Sequence, residues 1–191
     1  MLNLLLKLDS SIGVWLFSLR NAPAIKIFTG ITFFGEISTI IILALIACAV
    51  LWRLNKKYEI IGLLIAVLGS SVFTYLAKIL FDRPRPLNAA ILETSGSFPS
   101  GHATIAVAFY GFLAYLLLRE IKNKLYRVLI VFVTLIVILT IGFSRLYLGV
   151  HYFSDVFGGY LAGLVWFWIG VFVNKKYNNV LAGIKESNVL K

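Results

Sequence analysis

The chain has two histidines, and each stands among residues that could hold or attack an anion. His151 is followed four residues later by Asp155. On a helix beginning near His151, that spacing puts the carboxylate on the same face one turn away. There it can accept the proton of one imidazole nitrogen and leave the other free as a nucleophile. His102 closes the run Ser97-Phe98-Pro99-Ser100-Gly101-His102. With Ser100 as N-cap, the backbone N–H groups of Gly101, His102 and Ala103 are free to point at an anion, and Gly101 lets the backbone approach closely. Lys78, Arg83, Arg85 and Arg145 fall at or beside the ends of the same apolar segments as the histidines. Snorkelling at a membrane surface accounts for any one of these cations. It does not account for four of them converging with both histidines, and a cationic cluster with few acids nearby points to a bound anion.

Within the first cluster, Lys78 to Pro86, prolines 84 and 86 stop the helix and stiffen its exit. Each proline biases the preceding residue toward extended geometry, so Arg83 and Arg85 are expected to point to opposite sides. Asp82 is the expected partner of Arg83, which leaves Arg85 as the anion ligand.

The elements that carry these groups follow from composition. Of 191 residues, 60% are apolar and only 14% charged, which excludes a water-soluble domain and a disordered chain alike. Nearly charge-free runs cover residues 37–52, 60–77, 103–118, 128–143 and 156–173. At 1.5 Å per residue each reaches roughly 24 to 27 Å, and one further turn completes a bilayer core of about 30 Å. They lack period-two alternation, so strands are excluded. The expected fold is all-α, a polytopic membrane bundle of five transmembrane helices. Before it, Leu5, Leu8, Ile12, Trp15, Leu16 and Leu19 recur three or four apart, with Lys7, Ser11 and Ser18 opposite, as in an amphipathic helix lying in the interface. A sixth, poor span over residues 2–19 is the alternative. The expected organisation is an N-terminal interfacial segment (1–34), a catalytic transmembrane domain (35–175) and a tail (176–191). Lys7 and Asp9 interrupt the first apolar residues and no small-residue cleavage site follows, so the mature chain is expected to begin near Met1. The single cysteine, Cys48, lies within an apolar run and can form no intramolecular disulfide.

Eighteen Lys and Arg against eight Asp and Glu give a formal charge of +10. An antiparallel bundle gathers eleven of those cations in residues 53–59, 119–127 and after 173. By the positive-inside rule that side is cytoplasmic, so the charge encodes topology and needs no nucleic acid to explain it. Residues 82–100 and 144–155, with both histidines, then face the opposite side.

Lys78-x6-Arg85-Pro86, Pro99-Ser100-Gly101-His102 and Ser144-Arg145-x5-His151-x3-Asp155 resemble, in order and spacing, the three-part signature of the type 2 phosphatidic acid phosphatase (PAP2) family. The resemblance implies phosphoester hydrolysis on a helical bundle without metal or other cofactor. His151 would attack phosphorus, oriented by Asp155; His102 would protonate the leaving oxygen and later activate water; Lys78, Arg85, Ser100, Gly101 and Arg145 would hold the phosphoryl oxygens. These roles suit phosphoryl transfer, which needs positioning and positive charge around the equatorial oxygens. Many membrane members of the family have six spans, one more than the five clear runs here.

The leading expectation is a lipid phosphate phosphatase of a bacterial cytoplasmic membrane, working at the extracytoplasmic face. Its substrate would be undecaprenyl diphosphate, phosphatidylglycerol phosphate, phosphatidic acid or a lipid A phosphate. A lipid phosphotransferase using the same phosphohistidine is the enzymatic alternative. A non-catalytic lipid or anion carrier would need the charge but not the nucleophile, and haloperoxidase chemistry belongs to soluble members.

Overall fold

The computed structural model describes residues 2–189, with side chains for residues 5–178. Met1, the expected start of the mature chain, and Lys191 lie outside the described residues. Among the described residues the regular structure is entirely helical: α1 (Leu2–Ser18), α2 (Ala22–Thr32), a 3₁₀ turn (Phe33–Gly35), α3 (Ile37–Arg53), α4 (Lys57–Phe81), α5 (Gly101–Glu120), α6 (Lys124–Tyr147) and α7 (Phe153–Val189).

Among the described residues four helices are long and apolar enough to cross a membrane: Lys57–Phe81, Gly101–Glu120, Lys124–Tyr147 and Phe153–Asn178. In hydrocarbon the backbone must satisfy its own polar groups, so charge-free runs of this length form continuous helices. The first expected span is different. Ala22–Gly35 and Ile37–Arg53 meet at a 46° bend and make one broken span or a re-entrant turn. The break falls at Glu36, whose extended backbone (φ −65°, ψ 140°) separates the 3₁₀ turn from α3. Pro23 begins a helix here instead of ending one. It sits in the first turn of α2, where its missing N–H costs nothing, behind Asn21, whose side chain accepts from the Ala24 N–H at 2.9 Å. At the other terminus α7 runs through the expected start of the tail at residue 176 without a break.

The central helix is α5, packed against α4, α6 and α7. Small residues let the backbones approach, as membrane interfaces require where no hydrophobic force drives helices together. A Cβ at Gly159 of α7 would lie 2.7 Å from the Ser100 carbonyl oxygen, and one at Gly163 would lie 2.5 Å from that of Thr104. Beside this seam, Ile40, Leu63, Ala66, Phe109 and Phe112 form the main buried cluster, with Cys48 packed at its edge.

Helix α1 turns a narrow face toward the bundle. Of its periodic stripe, Leu5, Leu8, Trp15 and Leu19 are exposed and Leu16 is buried; Asp9 is buried beside it, so the face turned inward carries a carboxylate. Outside an apolar bundle leucines are at ease, and the polar group is the one that needs protein contacts. The connections 82–100 and 148–152 meet at one end of the bundle, joined by Ala90 N–H donating to Leu148 O at 2.8 Å, and Ser100 N–H ties the first of them to α7 by donating to Asp155 O at 3.0 Å. Arg20, between α1 and α2, adds bonds to Tyr147 O (2.6 Å) and Asn88 O.

Candidate active site

Helix termini bring the sequence clusters together. Lys78 stands in the last turn of α4, which Asp82 ends with a left-handed conformation (φ 36°) and an N–H bond to Lys78 O. His102 stands in the first turn of α5, Arg145 in the last turn of α6, and Asp155 in the first turn of α7, with His151 in the short connection before it. Lys78, Arg85, Gly101, His102 and His151 all line one cavity of about 380 Å³. Glu93 and Ser95 from the 82–100 connection complete its outer wall, and Glu36, Ser70, Ser71 and Thr74 lie on the side of α3 and α4.

His151 is 4% exposed. Its Nδ1 faces Asp155 Oδ2 at 3.5 Å, and its Nε2 faces the Arg85 guanidinium at 3.4 Å. Burial is the main force lowering its pKa, to about 4; Arg85 and Arg145 push the same way, while the bond with Asp155 opposes them. At neutral pH the imidazole is therefore uncharged, with Nε2 turned toward the cavity. Asp155 is fully buried and accepts the Tyr152 N–H at 2.9 Å through Oδ2.

Around this pair the cations are held in place. Arg85 donates to Val150 O at 2.8 Å and Ser95 O at 2.8 Å, and Lys78 donates to Gly96 O at 2.6 Å. Arg145, 1% exposed, donates to Thr32 Oγ1 at 2.8 Å and to Glu93, while its Nε has no partner. Glu93 spans the two guanidiniums, with Oε2 also 3.3 Å from Arg85. Burial alone would raise the Glu93 pKa, but the charges of Arg145 and Arg85 hold it below the usual carboxylate value. Three further polar atoms of the site are buried without a hydrogen-bond partner: His151 Nδ1, Ser100 Oγ and His102 Nε2. The last lies 3.8 Å from Glu36 Oε1. Unpartnered buried donors beside paired cations describe a place for a tetrahedral anion. Among the described residues no three His, Cys, Asp or Glu side chains converge as a metal-binding group.

Ser100 and Arg145 do not line the cavity themselves; Ser100 sits at the N-terminus of α5 beneath it, and Arg145 reaches it through Glu93. Arg83 and Arg85 do point apart. The partner expected for Arg83 is corrected, however: its guanidinium binds Asp155 Oδ1 at 2.6 Å and Asp9 Oδ2 at 2.8 Å, and Asp82 is an exposed C-cap. The prolines turn Arg83 back under the bundle, where two buried carboxylates lie. Asp9, Thr32, Glu36 and Glu93 were not singled out as site residues from the sequence. A carboxylate within an apolar N-terminal helix was the available signal for Asp9; nothing local marked the others.

The model of the PAP2 superfamily matches residues 59–178, a stretch that contains all three clusters. The chain is 30% identical over 146 residues to phosphatidylglycerophosphatase B of Bacillus subtilis, covering 75% of this chain and 72% of that protein. It is 29% identical over 153 residues to lipid phosphate phosphatase 2 of Arabidopsis thaliana, covering 62% of this chain and 53% of that one. The crystal structure of a transmembrane PAP2 type phosphatidylglycerolphosphate phosphatase from Bacillus subtilis superposes with a TM-score of 0.84 at 27% identity, over 91% of this chain and 88% of that one. The chain belongs to the PAP2 superfamily and is an integral membrane phosphatase.

Proposed function

We propose that this phosphatase hydrolyses the phosphate of a membrane lipid through a phosphohistidine on His151, with phosphatidylglycerol phosphate as the first candidate substrate. The observation that carries the reading is the neutral, buried His151 presenting Nε2 to the cavity that His102, Lys78 and Arg85 also line. The lone pair of Nε2 attacks phosphorus as the bond to the lipid oxygen breaks, and His102 delivers a proton to that oxygen. A water then loses a proton to His102 and attacks phosphorus, the P–N bond breaks, and inorganic phosphate leaves. Asp155 holds the Nδ1 proton throughout. Lys78, Arg85 and Arg145, the Ser100 hydroxyl and the Gly101 N–H stabilise the charge on the equatorial oxygens. The incoming phosphate replaces Glu93 between the two guanidiniums.

The names of the Bacillus relatives support phosphatidylglycerol phosphate; phosphatidic acid and undecaprenyl diphosphate carry the same reacting group. We place the site at the extracytoplasmic face, with α1 in the interface, the bent α2–α3 pair as the first of five spans, and the C-terminus in the cytoplasm of a bacterial inner membrane. The cations of residues 53–59 and 119–127 support that orientation. The test is release of inorganic phosphate by purified protein from a panel of lipid phosphates in mixed micelles. One phosphate per lipid consumed is expected. Transfer of the phosphate to a second lipid without release would make it a phosphotransferase, and binding without turnover a carrier.

A further inference from the structure

Asp9 is 4% exposed, on a helix that also buries Leu16. Its Oδ2 accepts from Arg83 Nη2 at 2.8 Å and from Ser154 Oγ at 2.6 Å, and its Oδ1 accepts from the Ser154 N–H at 2.8 Å. Arg83 spends its other fork arm on Asp155 Oδ1 (2.6 Å) and Ser154 Oγ (2.7 Å), and its guanidinium lies 4.3 Å from the centre of the Tyr152 ring. Asp155 thus has one oxygen fixed by Arg83 and the other fixed by the Tyr152 N–H, and the second is the oxygen facing His151.

We propose that Arg83 and Asp9 are positioning residues for the nucleophile: α1 holds the Arg83 fork, and the fork holds Asp155 in the rotamer that orients His151. The inference rests on the reading of His151 as nucleophile. A carboxylate that only docked α1 on α7 could end on any donor; this one ends, through a single bidentate guanidinium, on the carboxylate that sets the imidazole tautomer. Arg suits the task because its rigid fork bridges two carboxylates in fixed geometry, which a lysine cannot do. The role also explains why a charged group is kept on the inner face of an apolar helix, where an unpaired carboxylate is costly.

The test compares Arg83→Gln and Asp9→Asn in the wild-type and Asp155→Asn backgrounds, measuring kcat and KM on one lipid phosphate. Each single variant is expected to lower kcat by roughly 10- to 100-fold, the usual cost of removing an outer partner, with KM nearly unchanged. Added to Asp155→Asn, neither is expected to cost anything further, because residues acting as a unit are non-additive. Equal losses in both backgrounds, or undiminished kcat in the single variants, overturn the proposal. Arg83→Lys, which keeps the charge, supplies the comparison if Arg83→Gln does not fold, with a partial kcat loss expected and full activity refuting the need for the fork. ¹⁵N NMR of the imidazoles gives a readout independent of turnover. His151 is expected as one Nδ1–H tautomer in the wild type and as a mixture in Arg83→Gln; an unchanged tautomer overturns the positioning role. If the wild type releases phosphate from no lipid, the proposed function falls while the NMR comparison still decides the positioning.

Discussion

The charge state of His151 can be followed directly, because the chain has only two histidines. A free imidazole with a pKa near 6.5 is roughly three-quarters protonated at pH 6. Burial, with Arg85 and Arg145 nearby, lowers His151 to about 4, so at pH 6 about 1% of it would carry the second proton. The signs of its perturbations follow from the geometry. Arg85→Leu removes a cation 3.4 Å from Nε2, stabilises the imidazolium, and is expected to raise the pKa. Asp155→Asn removes the carboxylate that favours the charged form and is expected to lower it further. The assay is a pH titration from 4 to 8 of ¹⁵N-histidine-labelled protein in lipid nanodiscs, with His151 assigned by loss of its signals in His151→Gln. A His151 that titrates between 6 and 7, or a pKa that falls in Arg85→Leu, would refute the account of a nucleophile held neutral by burial and guanidinium charge.

His102→Ala is expected to slow hydrolysis of lipid phosphates by on the order of 10²- to 10⁴-fold, the usual worth of a general acid. The loss should be much smaller on a nitrophenyl phosphate, whose leaving group needs no proton; equal losses on both would remove His102 from that role. Gly163→Val should destabilise the bundle, because its Cβ would meet the Thr104 carbonyl oxygen at 2.5 Å. A melting temperature in detergent equal to the wild type would show that the α5–α7 seam can open. Vanadate is expected to inhibit and EDTA to leave activity intact, checked by phosphate release; a loss in EDTA restored by Mg²⁺ would contradict a site built from Lys78, Arg85 and Arg145.

Much of this site was legible because its chemistry is concentrated at helix ends, where proline, glycine and charge punctuate apolar runs. Lys78, Arg85, Gly101, His102 and His151 line one cavity because α5 and α6 are continuous helices and the connections 82–100 and 148–152 return to the same end. The opposed directions of Arg83 and Arg85 followed from the two prolines. What sat beyond reach was long-range pairing. Asp82 is adjacent to Arg83 in sequence, whereas Asp9 is 74 residues away, and local spacing cannot weigh one against the other. Glu93 lies in an irregular connection with no periodicity to place it. The apolar stripe of α1 does not say which face meets the bundle, because in a membrane the outer surface is also apolar and hydrophobic periodicity loses its power to tell inside from outside. The same loss of contrast hid the bend at Glu36, which follows from one extended residue between two apolar helices.

The central claim is that His151 carries the phosphoryl group between the lipid and water. Rapid acid-free quenching of the enzyme with ³²P-labelled phosphatidylglycerol phosphate, followed by peptide mapping, tests it most directly. The expected result is an acid-labile, base-stable label on the peptide containing His151, accumulating in His102→Ala and missing from His151→Gln. Label on any other residue, or wild-type turnover by His151→Gln, would contradict it.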